Sequence, residues 1–174
     1  FEVPDSRRMF AVFEQPDLKA TFEFRVTAPA HWQVVSNQPT PAAVAAGEGK
    51  AIWNFAPTPR ISSYITALIA GPYVSRHSEL ISSDGRVIPL GVYCRASLEQ
   101  YLEADYMFEK TREGFVFFEK TFDYPYPFEK YDQLFVPDFN AGAMENAGAV
   151  TFTETSVFRG AVAEALKERR VVTI

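Results

Sequence analysis

Glu145 is the residue whose surroundings most invite chemistry. It stands in FNAGAMENAGAVTF, residues 139–152, with small residues on either side. Gly142 and Ala143 offer backbone N–H and C=O groups with little side chain in the way. If the stretch is a sheet edge, an extended peptide can add itself there as one more strand. Edge strands normally carry devices against such pairing, and here they are missing. Glu145 would then lie at one end of the docked peptide, where its carboxylate can accept charge-assisted hydrogen bonds from a free α-ammonium group. An internal peptide nitrogen is uncharged and leaves the carboxylate unmatched, a loss of about 1–3 kcal/mol or more. Such a site tells a chain end from a chain middle. The stretch reads equally well as a hairpin turn, because ENAG has Asn and Gly where turns want them and Glu145 is then plain surface.

Other sources of chemistry are sparse. His31 and His77 lie in β-rich sequence, and neither has a ligand-type partner three or four residues away, so both read as structural or surface histidines. There is no Gly-rich phosphate loop and no G-x-S-x-G elbow. Cys94 is the single cysteine and has no nearby His, so a small core thiol is its expected role. The pairs Arg7–Arg8 and Arg169–Arg170 read as solvated surface, as do the carboxylates at 99, 103, 109, 113 and 119.

Composition sets the outer bounds. The chain has 174 residues, 47% of them hydrophobic, with sixteen Phe, which excludes disorder and permits a real core. A net charge of −5 argues against a nucleic-acid partner, which would need clustered Lys and Arg. The most apolar stretch, YITALIAGPYV, is too short to span a bilayer, so no membrane association is expected. One cysteine precludes an internal disulfide and fits a reducing, cytoplasmic compartment. The chain lacks an initiator Met and a signal-peptide pattern, and the expectation is that it begins inside a longer protein.

The elements around Glu145 follow from periodicity. KATFEFRVTAP alternates Phe22, Phe24 and Val26 against Glu23, Arg25 and Thr27, with Pro29 closing the strand. HWQVVSN, ending at Asn37, and GKAIWNFAP are further strand candidates, and ISSYITALIAG reads as a strand buried on both faces. Asp84-Gly85 between two apolar runs predicts a hairpin in which both turn positions take positive φ. From Ser97 to Phe122 apolar residues recur every three or four positions, predicting one long helix capped by Ser97 with Gln100 as the other half of a capping box. Gly114 weakens that helix by about 1 kcal/mol relative to Ala. Prolines in DYPYP end it. YDQLFVPDF and AGAVTFTETSVF supply two strands, and GAVAEALKERRVVTI starts a second helix that reaches Ile174 without a cap, so it is expected to run on. The organisation is α+β, with a β region over 1–91 and a mixed region over 92–174.

GAMEN followed by AGAVTF resembles the exopeptidase motif of the zinc aminopeptidases of the aminopeptidase N type, a gluzincin family. FEQPDLKATFEFRVTAPAHWQVVSN resembles that family's N-terminal β domain, and FDYPYPFEKYDQLFVPDFNAGAMENAGAVTF the start of its catalytic domain. The resemblance covers essentially the whole chain and is most like actinobacterial members. It implies part of an antiparallel β-rich domain over 1–91, then the beginning of a thermolysin-like catalytic domain over 92–174. It implies hydrolytic release of N-terminal amino acids, with Glu145 binding the substrate α-amine and Gly142 and Ala143 holding its backbone. Met144 and Asn146 fill the remaining motif positions as residues that shape the loop. The implied partners are peptides with a free N-terminus.

The departure from the family is large. Its His-Glu-x-x-His zinc helix and further Glu are absent, and the resemblance places the first ligand His directly after Ile174. The tyrosine that polarises the substrate carbonyl also lies beyond, and a polar residue that contacts the amine precedes the position of Phe1. Zinc is therefore expected in a full-length parent, with no metal and no catalytic residue in this segment, which alone is expected to be inactive. The alternative is a non-catalytic peptide- or protein-binding domain on the same scaffold. The family's epoxide-hydrolysing branch shares the zinc site, and the Gly-Ala rather than Gly-Gly opening of the motif weighs against it.

Overall fold

The computed structural model describes residues 5–174, so the position of Phe1 lies outside the described residues. The chain forms two compact units. One runs to Tyr73 and includes Met144–Val150; the other holds Val74–Ala143 and Thr151–Ile174. This division by contact falls elsewhere than residue 91, which lies inside a strand.

The first unit is built from five short strands: β1 (Arg25–Pro29), β2 (Gln33–Ser36), β3 (Val44–Gly47), β4 (Lys50–Asn54) and β5 (Leu68–Gly71). They make an antiparallel sheet ordered β1-β4-β3 and an antiparallel pair β2-β5. The alternation in β1 and the residues before it is real: Phe22, Phe24 and Val26 are each more buried than the polar residues between them. Phe24 and Val26 pack with Trp32 and Leu68 against a buried cluster of Ala28, Val34, Ala51, Trp53 and Phe55.

Two expectations in this unit are corrected. β3 went unrecognised because all four of its residues are exposed, so no apolar alternation marks it. ISSYITALIAG is a strand only over β5; Ser63–Ile65 is a 3-10 turn. The hydroxyls win there, since Thr66 Oγ1 donates to Ser63 O at 2.7 Å and Ser62 Oγ to Pro16 O at 2.5 Å.

The remaining strands are β6 (Tyr73–Ile81), β7 (Val87–Arg95), β8 (Tyr131–Val136), β9 (Ala143–Met144) and β10 (Ala149–Thr153). They form a sheet ordered β6-β7-β8-β10-β9. The β6–β7 hairpin sits where Asp84-Gly85 predicted it, but only Gly85 has positive φ, at 85°. Its turn is closed by the Gly85 N–H to Ser82 O at 2.9 Å, followed by Ser82 N–H to Arg86 O at 2.9 Å. That is a type I turn with a left-handed glycine rather than two left-handed residues.

β7 and β8 are parallel, with Gly91 opposite Asp132. Parallel neighbours need a crossover, and helix α1 (Ala104–Phe122) supplies it. Its buried face is Ala104, Met107, Phe108 and Thr111, spaced as one helical stripe. The single long helix expected from Ser97 is broken in two. Ala96–Tyr101 is a 3-10 helix whose Leu98 is buried, and α1 starts afresh after Glu103, with no side-chain cap on either piece. Ser97 is therefore not the cap. The tighter turn lets Leu98 bury while Glu99 pairs with Arg76 at 2.7 Å.

Phe118 and Phe122 have the helical spacing of a core face yet remain 55% and 70% exposed. Helix α2 (Glu164–Thr173) follows. The α+β class expected from the sequence holds.

Candidate functional site

β9 and β10 are the two arms of a hairpin, and β9 is the last strand of its sheet, paired on one side. The hairpin is tied by Thr153 N–H to Gly142 O at 3.1 Å. Gly142 is exposed, and a Cβ built there would meet nothing within 4 Å. The fold therefore does not require glycine at this position. Among the described residues no further strand pairs with the outer edge of β9.

Two successive turns place Glu145. Asn146 N–H donates to Met144 O at 2.9 Å, which puts Glu145 at the centre of a three-residue turn. Ala149 N–H then donates to Asn146 O at 3.0 Å, with Gly148 at φ 70°. This is the type II pattern, which wants glycine at its third position. Met144, Asn146, Ala147 and Ala149 are all buried, whereas Glu145 between them is exposed. Its carboxylate makes no hydrogen bond or ion pair among the described residues. The peptide-edge and hairpin readings of the sequence are thus not exclusive. The hairpin makes the edge, and its corner carries the charge.

The residue that sequence reasoning missed is Asn37. It is buried, and its Nδ2 donates to Ala147 O at 2.8 Å and to Ile65 O at 2.9 Å, while its Oδ1 accepts from Ala67 N–H at 2.9 Å. Losing the partner of a buried carbonyl such as that of Ala147 costs about 1–3 kcal/mol. The sequence signal was a Ser-Asn pair closing the apolar Val34-Val35 run. Nothing in it points to a partner 110 residues away.

β10 is held firmly beside this loop. Phe152 stacks on Phe135 of β8 with centroids 5.3 Å apart, and both rings are fully buried. Just past β10, Glu154 takes a two-pronged ion pair from Arg95, at 2.6 and 2.7 Å. Such fork geometry is the strong form of a charge-assisted bond.

Other candidates take different roles. The solvated reading of Arg170 is corrected. It is 4% exposed, pairs with Glu103 at 2.7 Å, and lies over the rings of Tyr106 and Phe158 at 5.2 and 4.4 Å. Glu119 is not idle surface either, since it accepts from Ser82 Oγ at 2.5 Å, Ser83 N–H at 2.7 Å and Tyr126 N–H at 2.8 Å. Burial pushes its carboxyl up, but these bonds together outweigh that and hold it below its ordinary value. Cys94 is fully buried, and burial pushes its thiol up to about 11. His31 and His77 are exposed, and His77 contacts Ser75 Oγ at 2.9 Å.

Among the described residues no group of three or more His, Cys, Asp or Glu side chains could hold a metal ion. The residues present do not fit a zinc site. No helix among them is long and apolar enough to cross a membrane. An apolar groove of about 800 Å³ does exist, lined by Phe115, Phe118, Phe122, Tyr126, Tyr131 and Ile174 among others, but Glu145 is not part of it. Its lining is mainly aromatic and aliphatic, with Lys110, Thr111 and Glu119 at the wall.

Comparison with known proteins gives these features a family. Residues 1–65 match the Peptidase M1 N-terminal domain, and residues 106–174 the Peptidase family M1 domain. The chain belongs to this family of peptidases. It is 62% identical to aminopeptidase N of Streptomyces lividans over its whole length, covering 20% of that protein. It is 34% identical to aminopeptidase Ey of Gallus gallus, covering 99% of this chain and 18% of that protein. With aminopeptidase N of Acetobacter pasteurianus it shares 36% identity over 88% of this chain and 42% of that protein. The chain thus spans a fifth to two fifths of the length of these relatives.

Proposed function

We propose that these residues are the amine-recognition segment of a zinc metallo-aminopeptidase that releases N-terminal amino acids from peptides. The observation that carries this is the exposed carboxylate of Glu145, without a partner among the described residues, at the corner of a hairpin whose outer strand, β9, has an edge that no other described strand pairs with. A peptide adding to β9 through Gly142 and Ala143 would present its α-ammonium to Glu145, which holds it by charge-assisted hydrogen bonds. Met144 and Asn146 set the backbone on either side. Binding energy of this kind accelerates hydrolysis only as far as it is realised in the transition state, so the loop's task is placement of the scissile bond.

No catalytic residue is assigned to this chain, and no step is derived through a metal. Zinc and its ligands belong in this reading to the longer polypeptide, and the 174-residue chain alone is inactive. A cytoplasmic location is proposed from the single buried cysteine.

The test uses the full-length protein with an aminoacyl anilide and its N-acetylated counterpart. Cleavage of the free-amine substrate alone is expected. Equal cleavage of both would remove the exopeptidase reading, and cleavage of neither would favour a non-catalytic peptide-binding domain.

A further inference from the structure

We propose that Asn37 is a positioning residue for Glu145, and that through it the β2–β5 pair sets how sharply the loop distinguishes a free α-ammonium. This rests on the reading of Glu145 as the amine anchor. The exposed Glu145 side chain makes no bond of its own among the described residues, so its placement must come from its backbone. That backbone is two linked turns, closed by Asn146 N–H to Met144 O and Ala149 N–H to Asn146 O. Both closures are local and would move with the loop as a body. Asn37 supplies a tether from a distant part of the chain, donating to the carbonyl of Ala147 inside the second turn at 2.8 Å.

Its amide has one usable orientation. Two of its neighbours are carbonyls, at Ile65 and Ala147, and the third is the N–H of Ala67, so Nδ2 must face the first two and Oδ1 the third. Asn37 is itself rooted. The preceding strand β2 pairs with β5, and Ser36 Oγ donates to Ala67 O at 2.7 Å. A 4% exposed amide with all three contacts made has no slack to pass to the loop.

The experiment measures inhibition of the full-length enzyme by leucinamide and by isocaproamide, which differ only in the α-amine. The ratio of their Ki values reads the amine preference. Asn37→Ala should lower that preference about tenfold, the size of one well-made hydrogen bond. KM for a free-amine substrate should rise more than kcat falls. Asn37→Ser removes both amide donors without burying a charge, so it should show the same loss even if Asn37→Ala does not fold. In a Glu145→Gln background, Asn37→Ala should lower the ratio no further.

A variant with reduced Tm and an unchanged ratio would make Asn37 merely structural and overturn the proposal. So would a full additional loss in the Glu145→Gln background. If Glu145→Gln itself leaves the ratio unchanged, the amine-anchor reading fails first, a result distinct from a failure at Asn37 alone.

Discussion

Asp132 and Glu145 are carboxylates of the same short region of sequence, and the fold treats them in opposite ways. Asp132 is 5% exposed on β8, paired with Lys130 at 2.6 Å. A glycine makes room for it. Gly91 stands opposite in the sheet, and a Cβ there would lie 2.3 Å from Asp132 Oδ1 and 2.6 Å from the ring of Tyr93. Burial pushes the Lys130 ammonium down, and the Asp132 carboxylate acts against that. Glu145 is exposed and has no partner among the described residues. Glu119 stands between the two, half-buried and held by three donors. A charge with all its bonds made inside the chain serves the fold, whereas a charge left open on a well-fixed backbone is available to a ligand.

The largest effect expected from breaking this contrast is at Asp132. Asp132→Ala strips a buried ammonium of its carboxylate, and the chain should lose about 3–5 kcal/mol of stability in urea denaturation. A change below about 0.5 kcal/mol, typical of exposed positions, would place Asp132 in Glu145's class.

A smaller effect is expected at Glu119, and it should depend on pH. Its folded-state carboxyl titrates below the ordinary value of 4.5. The stabilisation is therefore complete above the unfolded-state value and is lost as pH falls through the folded-state one. Glu119→Gln should be less stable than wild type at neutral pH, and the gap should narrow in acid. A gap that ignores pH would mean the carboxylate's charge does not matter there.

Much of this was legible in the sequence, for reasons that differ by element. β1 and β4 showed themselves because one face is more buried than the other, which writes a period of two. The site loop was legible because bare backbone next to a lone carboxylate is unusual in any strand. β3 was illegible because it buries nothing. The break at Leu102–Glu103 was illegible because a 3-10 helix and an α-helix both bring apolar residues round every three or four positions. Arg170 read as surface because cations usually are. Its ion pair with Glu103 and its ring contacts exist only once the chain has folded. Asn37 is the same kind of case, a polar residue whose meaning lies in a partner far away in sequence.

The most direct test is Glu145→Gln in the full-length enzyme, read at once for thermal stability and for kcat/KM on an aminoacyl amide. Because Glu145 makes no bond among the described residues, Tm should stay put, while kcat/KM should fall by about 2–5 kcal/mol of transition-state binding. A variant that melts earlier, or that turns over the free-amine substrate as fast as wild type, would contradict the assignment.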